Sequence, residues 1–106
     1  MMPIKQLVSF ERALAHLRQD AGADDLAVRD IIDAASGIVL DYLKLKEVPD
    51  DWALENGDSP STVPGPIRSA VLLVIGTLYA DREGVTDPLT PAVESLLMRL
   101  RDPSLA

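Results

Sequence analysis

Apolar residues return along this chain at helical spacing in several separate stretches. Phe10, Leu14 and Leu17 recur at i, i+4 and i+7 and predict a first helix over residues 10–19. Ser9 is suited to cap it, and Glu11 falls in the first turn, where the helix dipole favours an acid. Gly22 can end that helix and Asp24 can cap the next. Over residues 25–45, Val28, Ile32, Ala35, Val39, Tyr42 and Leu43 fall on one stripe, with Asp30, Asp33 and Asp41 off its centre. Near the C-terminal end Thr90 is placed as a cap with Pro91 at the first helical position. Val93, Leu96, Leu97 and Leu100 then give a stripe, Arg99 and Arg101 suit its C-terminal end, and Asp102-Pro103 stops it.

The stretch VPGPIRSAVLLVIGTLYADRE, residues 63–83, has another pattern. Pro66 stands at the expected helix start, and Gly84 is the expected cap at the other end, giving a helix over 66–83. Ile67, Val71, Val74 and Leu78 form one wide apolar face. Nearly opposite lies a seam of small residues, Ser69, Gly76 and Ala80, which would let another backbone approach closely. Leu72, Leu73, Ile75 and Tyr79 fill much of the space between. A helix apolar all round is normally central and buried. With no strand-like alternation and no internal repeat, the expected fold is all-α: one domain, a small bundle of three to four helices around this central one.

A long loop is expected over residues 47–65. The stretch from Glu47 to Pro66 holds four of the eight prolines and two glycines. Loops of this length are uncommon in compact domains unless they are functional or tied down. Trp52 and Leu54 are the residues able to pin it to the body as a tethered surface loop, the favoured reading, and a partner-binding arm is the sharper alternative.

Composition adds a surplus. A chain of 106 residues makes one modest core, yet 47% of it is apolar. Part of that apolar surface is available for a partner. Cysteine is absent, which excludes disulfides, thiolate nucleophiles and cysteine zinc sites. The opening MMPIKQLVSF lacks a signal-peptide core, and the longest apolar run is far short of the ~20 residues that cross a bilayer. The chain is therefore expected to be soluble and intracellular. Residues 21–60 carry ten acids against three bases, the whole net charge of −7. No basic stripe is present to neutralise phosphates, so tight nucleic-acid binding is not expected.

No catalytic pattern stands out in the sequence. His16 is the single histidine and lies beside the Leu14–Leu17 stripe, with no second histidine or cysteine to share a metal. The acid-rich 24–33 stretch lacks the Asp-x-Asp-x-Asp-Gly pattern of a calcium loop, and Gly57, Gly65 and Gly76 do not form a phosphate loop. Neither Ser36 nor Ser69 sits in the Asp-Ser-Leu context of an acyl carrier protein. No enzyme activity, cofactor or metal is expected. Arg82 and Glu83 have two readings: a solvated helix end, or an Arg82 fork on a carboxylate of a neighbouring helix or subunit.

Taken in order, these local words resemble the gp6-like head–tail connector proteins of tailed phages over nearly the full chain. The first helix closes with AHLRQD, ADD opens the second, and IIDAAS followed by Tyr42 continues it. The most telling part is the proline-led apolar helix ending in Tyr79, Arg82 and Glu83, followed by LTPAVESLLMRLR. Met98-Arg99-Leu100 departs from the proline–tyrosine pair common in the family, and the Trp52 loop is individual to this chain. The resemblance implies a structural virion protein at the head–tail junction, made in the bacterial host cytoplasm. It implies a homo-oligomeric ring beneath the portal protein that meets a tail-completion or stopper protein and passes DNA without binding it specifically. Independent of the resemblance, the charge pattern also suits a small acidic adaptor or regulatory module that masks a basic partner.

Overall fold

The computed structural model describes residues 6–17, 25–45, 48–49, 51–55, 58–81 and 87–98. Four helices run through them: α1 (Phe10–Leu17), α2 (Asp25–Tyr42), α3 (Gly65–Ala80) and α4 (Pro91–Leu97). The architecture is the expected all-α bundle. α3 is its centre, packing most extensively on α2, then on α4, and also on α1, which in turn packs on α2.

The predicted stripes supply the core. From α2, Val28, Ile32, Ala35 and Val39 are buried, with Tyr42 half-buried at the edge and Leu43 buried just past the helix end. They meet Ile67, Ala70, Val71, Val74 and Ile75 of α3, while Val93 and Leu97 of α4 close the other side. Arg29 of α2 lies with its guanidinium carbon 4.0 Å from the centroid of the Phe10 ring, a cation–π contact joining α1 to α2.

Helix starts follow the capping chemistry. The Arg12 amide donates to the Ser9 hydroxyl oxygen at 3.1 Å, and the Val93 amide donates to the Thr90 hydroxyl oxygen at 3.4 Å. α3 starts one residue earlier than expected, at Gly65, with Pro66 in its first turn.

Two helix ends come sooner than expected. α2 stops at Tyr42 rather than continuing to residue 45, because Lys44 turns into the left-handed region with φ 65°. The Leu45 amide then reaches the Leu40 carbonyl at 3.0 Å and the Lys44 amide reaches Asp41 at 3.1 Å, the paired bonds of a Schellman closure. α3 stops at Ala80 rather than near residue 83; Asp81 leaves helical geometry with φ −123° and ψ 80°. An aspartate at this end opposes the helix dipole and competes for local backbone hydrogen bonds, so the helix gives out there. The expected caps at Gly22, Asp24 and Gly84 lie outside the described residues.

A core contribution from outside the helices was not anticipated. Leu7 and Val8, in the segment leading into α1, are buried among the core residues. The Leu7 amide donates to the buried hydroxyl of Ser36 at 3.1 Å, and the Gln6 side chain donates to Asp33 at 3.1 Å. The segment ahead of α1 is thus fastened to α2 by backbone as well as side chains.

Candidate functional site

The apolar character of α3 is divided between two faces. Ile67, Ala70, Val71, Val74 and Ile75 point into the bundle, whereas Pro66, Ser69, Leu73 and Ala80 are exposed on the other side. Leu73, 41% exposed, stands four residues after Ser69 and seven before Ala80, and so completes the outer strip. Placing Leu73 between the faces understated it; its i+4 and i−7 spacing from the two small residues was the available signal.

The outer strip is chemically quiet. Arg68 is the one charged residue in α3, and its Nε donates to the Val63 carbonyl at 3.1 Å, which holds its head back toward the helix start. The Thr77 hydroxyl donates to the Leu73 carbonyl at 3.2 Å, so its polar demand is met within the helix. Along more than three turns the outer strip therefore offers small and apolar groups without a charged side chain. Among the described residues two other large apolar side chains are exposed, Leu26 at the start of α2 (80%) and Met98 just past α4 (66%).

The other expected interface residues do not all gather here. Gly76 is half-buried beneath the end of α1: a Cβ placed on it would lie 3.6 Å from Nε2 of His16. Tyr79 is half-buried and packs against the core rather than joining the exposed strip. Trp52 belongs to the segment between α2 and α3 and also packs on the core. Arg82 and Glu83 lie outside the described residues.

The described residues ahead of α3 form a hydrogen-bonded strap. The Thr62 amide donates to the Ala53 carbonyl at 2.9 Å, and the Ala53 amide donates to the Thr62 hydroxyl at 2.7 Å. That hydroxyl in turn donates to the Asp51 carbonyl at 2.7 Å, and the Ser61 hydroxyl donates to Ala53 at 3.1 Å. Leu54 is half-buried beside Trp52 in sequence. Glu55 accepts a hydrogen bond from the Ser9 hydroxyl, which holds its carboxyl below the usual glutamate range; partial burial opposes this, and a backbone hydrogen bond with the charges of Arg12 and Arg68 reinforces it.

His16 is exposed, and among the described residues no three histidine, aspartate or glutamate side chains come together as a metal site. Among the same residues no helix is long and apolar enough to cross a membrane. What the site offers is contact surface: a neutral outer strip on the central helix, beside an α2 whose Asp30 and Asp41 face solvent.

The comparisons agree in kind. No curated protein and no solved structure matches the chain. A family model described as phage gp6-like head–tail connector protein matches residues 9–95, a span that takes in α1, α2, α3, the strap and most of α4. The chain therefore belongs to the phage gp6-like head–tail connector family.

Proposed function

We propose that this protein is the repeating subunit of a ring at the head–tail junction of a tailed phage or prophage, seated beneath the portal and continuing the DNA channel toward the tail. Its role is structural, with the portal on one side and a tail-completion protein on the other. The observation that carries this reading is the uncharged outer strip of α3, Ser69, Leu73 and Ala80, left exposed on the most apolar helix of the chain. A ring requires each subunit to give two side surfaces to its neighbours. Closing the strip against the next subunit removes it from water, which is favourable for any apolar area. The acids of residues 21–60 suit a channel wall, because like charge lets DNA slide without adhering.

Native mass spectrometry of the protein, alone and mixed with purified portal, tests this. A single large stoichiometry in either sample, held or tightened by salt, is the expected result. A monomer in both samples contradicts it. The exposed acids of α2 then favour the adaptor reading, in which binding to a basic partner weakens steeply with salt.

A further inference from the structure

α2 ends on a strained residue rather than on a helix breaker. Lys44 holds φ 65°, in the left-handed region that is costly for any residue with a Cβ. The run Leu43-Lys44-Leu45-Lys46 consists of good helix formers, and neither glycine nor proline interrupts the chain between Gly37 and Pro49. Local preference therefore favours a longer helix than the fold contains. Packing opposes it: Leu43 is buried, and Leu45, Val48 and Trp52 pack against the core. In a continued helix Leu45 would stand four residues after Asp41, on the face that Asp41 presents to solvent, and would leave the core.

The hydrogen bonds at this end serve either form. The Lys44 amide donates to the Asp41 carbonyl at 3.1 Å and the Leu45 amide to the Leu40 carbonyl at 3.0 Å. In a continued helix the same two amides meet the same two carbonyls, exchanged: Lys44 donates to Leu40 and Leu45 to Asp41. The bond from the Leu43 amide to the Val39 carbonyl, at 3.0 Å, is common to both. We propose that the end of α2 is a two-state joint, in which turning Lys44 from φ 65° to helical values swaps the two acceptors and extends α2 through Leu45. The swap loses no backbone hydrogen bond and relieves Lys44, so the burial of Leu45, Val48 and Trp52 decides which form is populated. Pro49 limits the extension, because the residue before a proline disfavours helical geometry. A partner that draws Trp52 off the bundle converts a turn into helix and redirects the chain entering the strap. The joint rests on contacts within one chain and does not depend on the ring reading.

NMR of the full chain tests the joint through backbone shifts, amide-to-Hα NOEs and amide exchange at residues 43–45, which together separate left-handed, helical and coil geometry. Trp52→Ala is expected to move Lys44 from left-handed to helical geometry while the Leu45 amide stays protected and Val74 protection marks an intact bundle. Val48→Ser removes a smaller contact, so it reads the joint even where loss of Trp52 opens the bundle, and is expected to shift the same signals in the same direction. Lys44→Gly favours the left-handed turn and disfavours helix, so adding it is expected to return either protein to the closed end. The proposal is overturned if a substitution that keeps Val74 protected leaves Lys44 left-handed. It is equally overturned if residues 43–45 go to coil with their amide protection lost, or if Lys44→Gly fails to reverse the shift.

Discussion

The hydroxyl of Ser36, fully buried in the middle of α2, accepts the backbone amide of Leu7 at 3.1 Å, and so fastens the N-terminal segment to the core. Ser36→Ala leaves that amide buried without a partner, a loss of about 1–3 kcal/mol. Thermal unfolding should register it as a lower Tm, by roughly 4–8 °C per kcal/mol for a domain of this size. A Ser36→Ala protein as stable as the parent would mean that the Leu7 amide finds another acceptor.

Gly76 and His16 set up a test that separates folding from assembly. A Cβ at Gly76 meets Nε2 of His16 at 3.6 Å, an ordinary contact, so alanine fits. Gly76→Ala should stabilise the single chain by about 0.5–1 kcal/mol through helix propensity. Because Gly76 faces the end of α1 rather than the exposed strip, the ring reading expects assembly to be unchanged. Denaturation reads the stability and native mass spectrometry the stoichiometry. A Gly76→Ala protein that loses the oligomer would place a close subunit contact at Gly76.

Leu73 and Ile75 lie two residues apart on α3 and should behave in opposite ways. Ile75→Ala opens a cavity at a fully buried position and should cost about 2–5 kcal/mol. Leu73→Glu changes a partly exposed side chain and should alter stability by only ~0.5 kcal/mol while abolishing the oligomer. Chemical denaturation and sedimentation read the two effects separately. A Leu73→Glu protein that still forms the full oligomer would place the contact elsewhere.

Glu55 sets a pH dependence. Its carboxyl is held below the ordinary range in the folded chain, chiefly by the Ser9 hydroxyl, so the folded state binds the proton more weakly than the unfolded state. The stabilisation is fully present above the unfolded glutamate value and is lost as pH falls through the lower folded value. Carbon-detected NMR titration of Glu55 should give a midpoint under the ordinary glutamate range. Glu55→Gln should reduce the acid-side fall in stability. An unshifted midpoint would mean that the Ser9 hydroxyl does not hold the carboxylate in solution.

Much of this fold was legible because its information is local. The α2 stripe from Val28 to Leu43, the Ser9 and Thr90 caps and the proline-led start of α3 each follow from periodicity or from one residue's chemistry. What was missed depends on tertiary partners. Leu7 and Val8 carry no helical period because their segment bends outside any helix, and the buried Ser36 reveals their place. Lys44 closes α2 in a left-handed conformation that glycine would have advertised and lysine does not. Glu55 looked like one more acid in a polar loop, since its tie to Ser9 spans most of the distance between α1 and α3 in sequence. At the site, Ser69 and Ala80 are exposed together as their spacing required, whereas Gly76 is partly occupied by α1.

The central claim, that a neighbouring subunit covers the outer strip of α3, has a direct test because the chain contains no cysteine. Ser69→Cys places one thiol on the exposed strip with almost no change in side-chain size. Its alkylation rate can be compared between the isolated chain and assembled particles. Closure by a neighbour predicts rapid labelling of the isolated chain and strong protection in the particle. Equal rates in both states would contradict it.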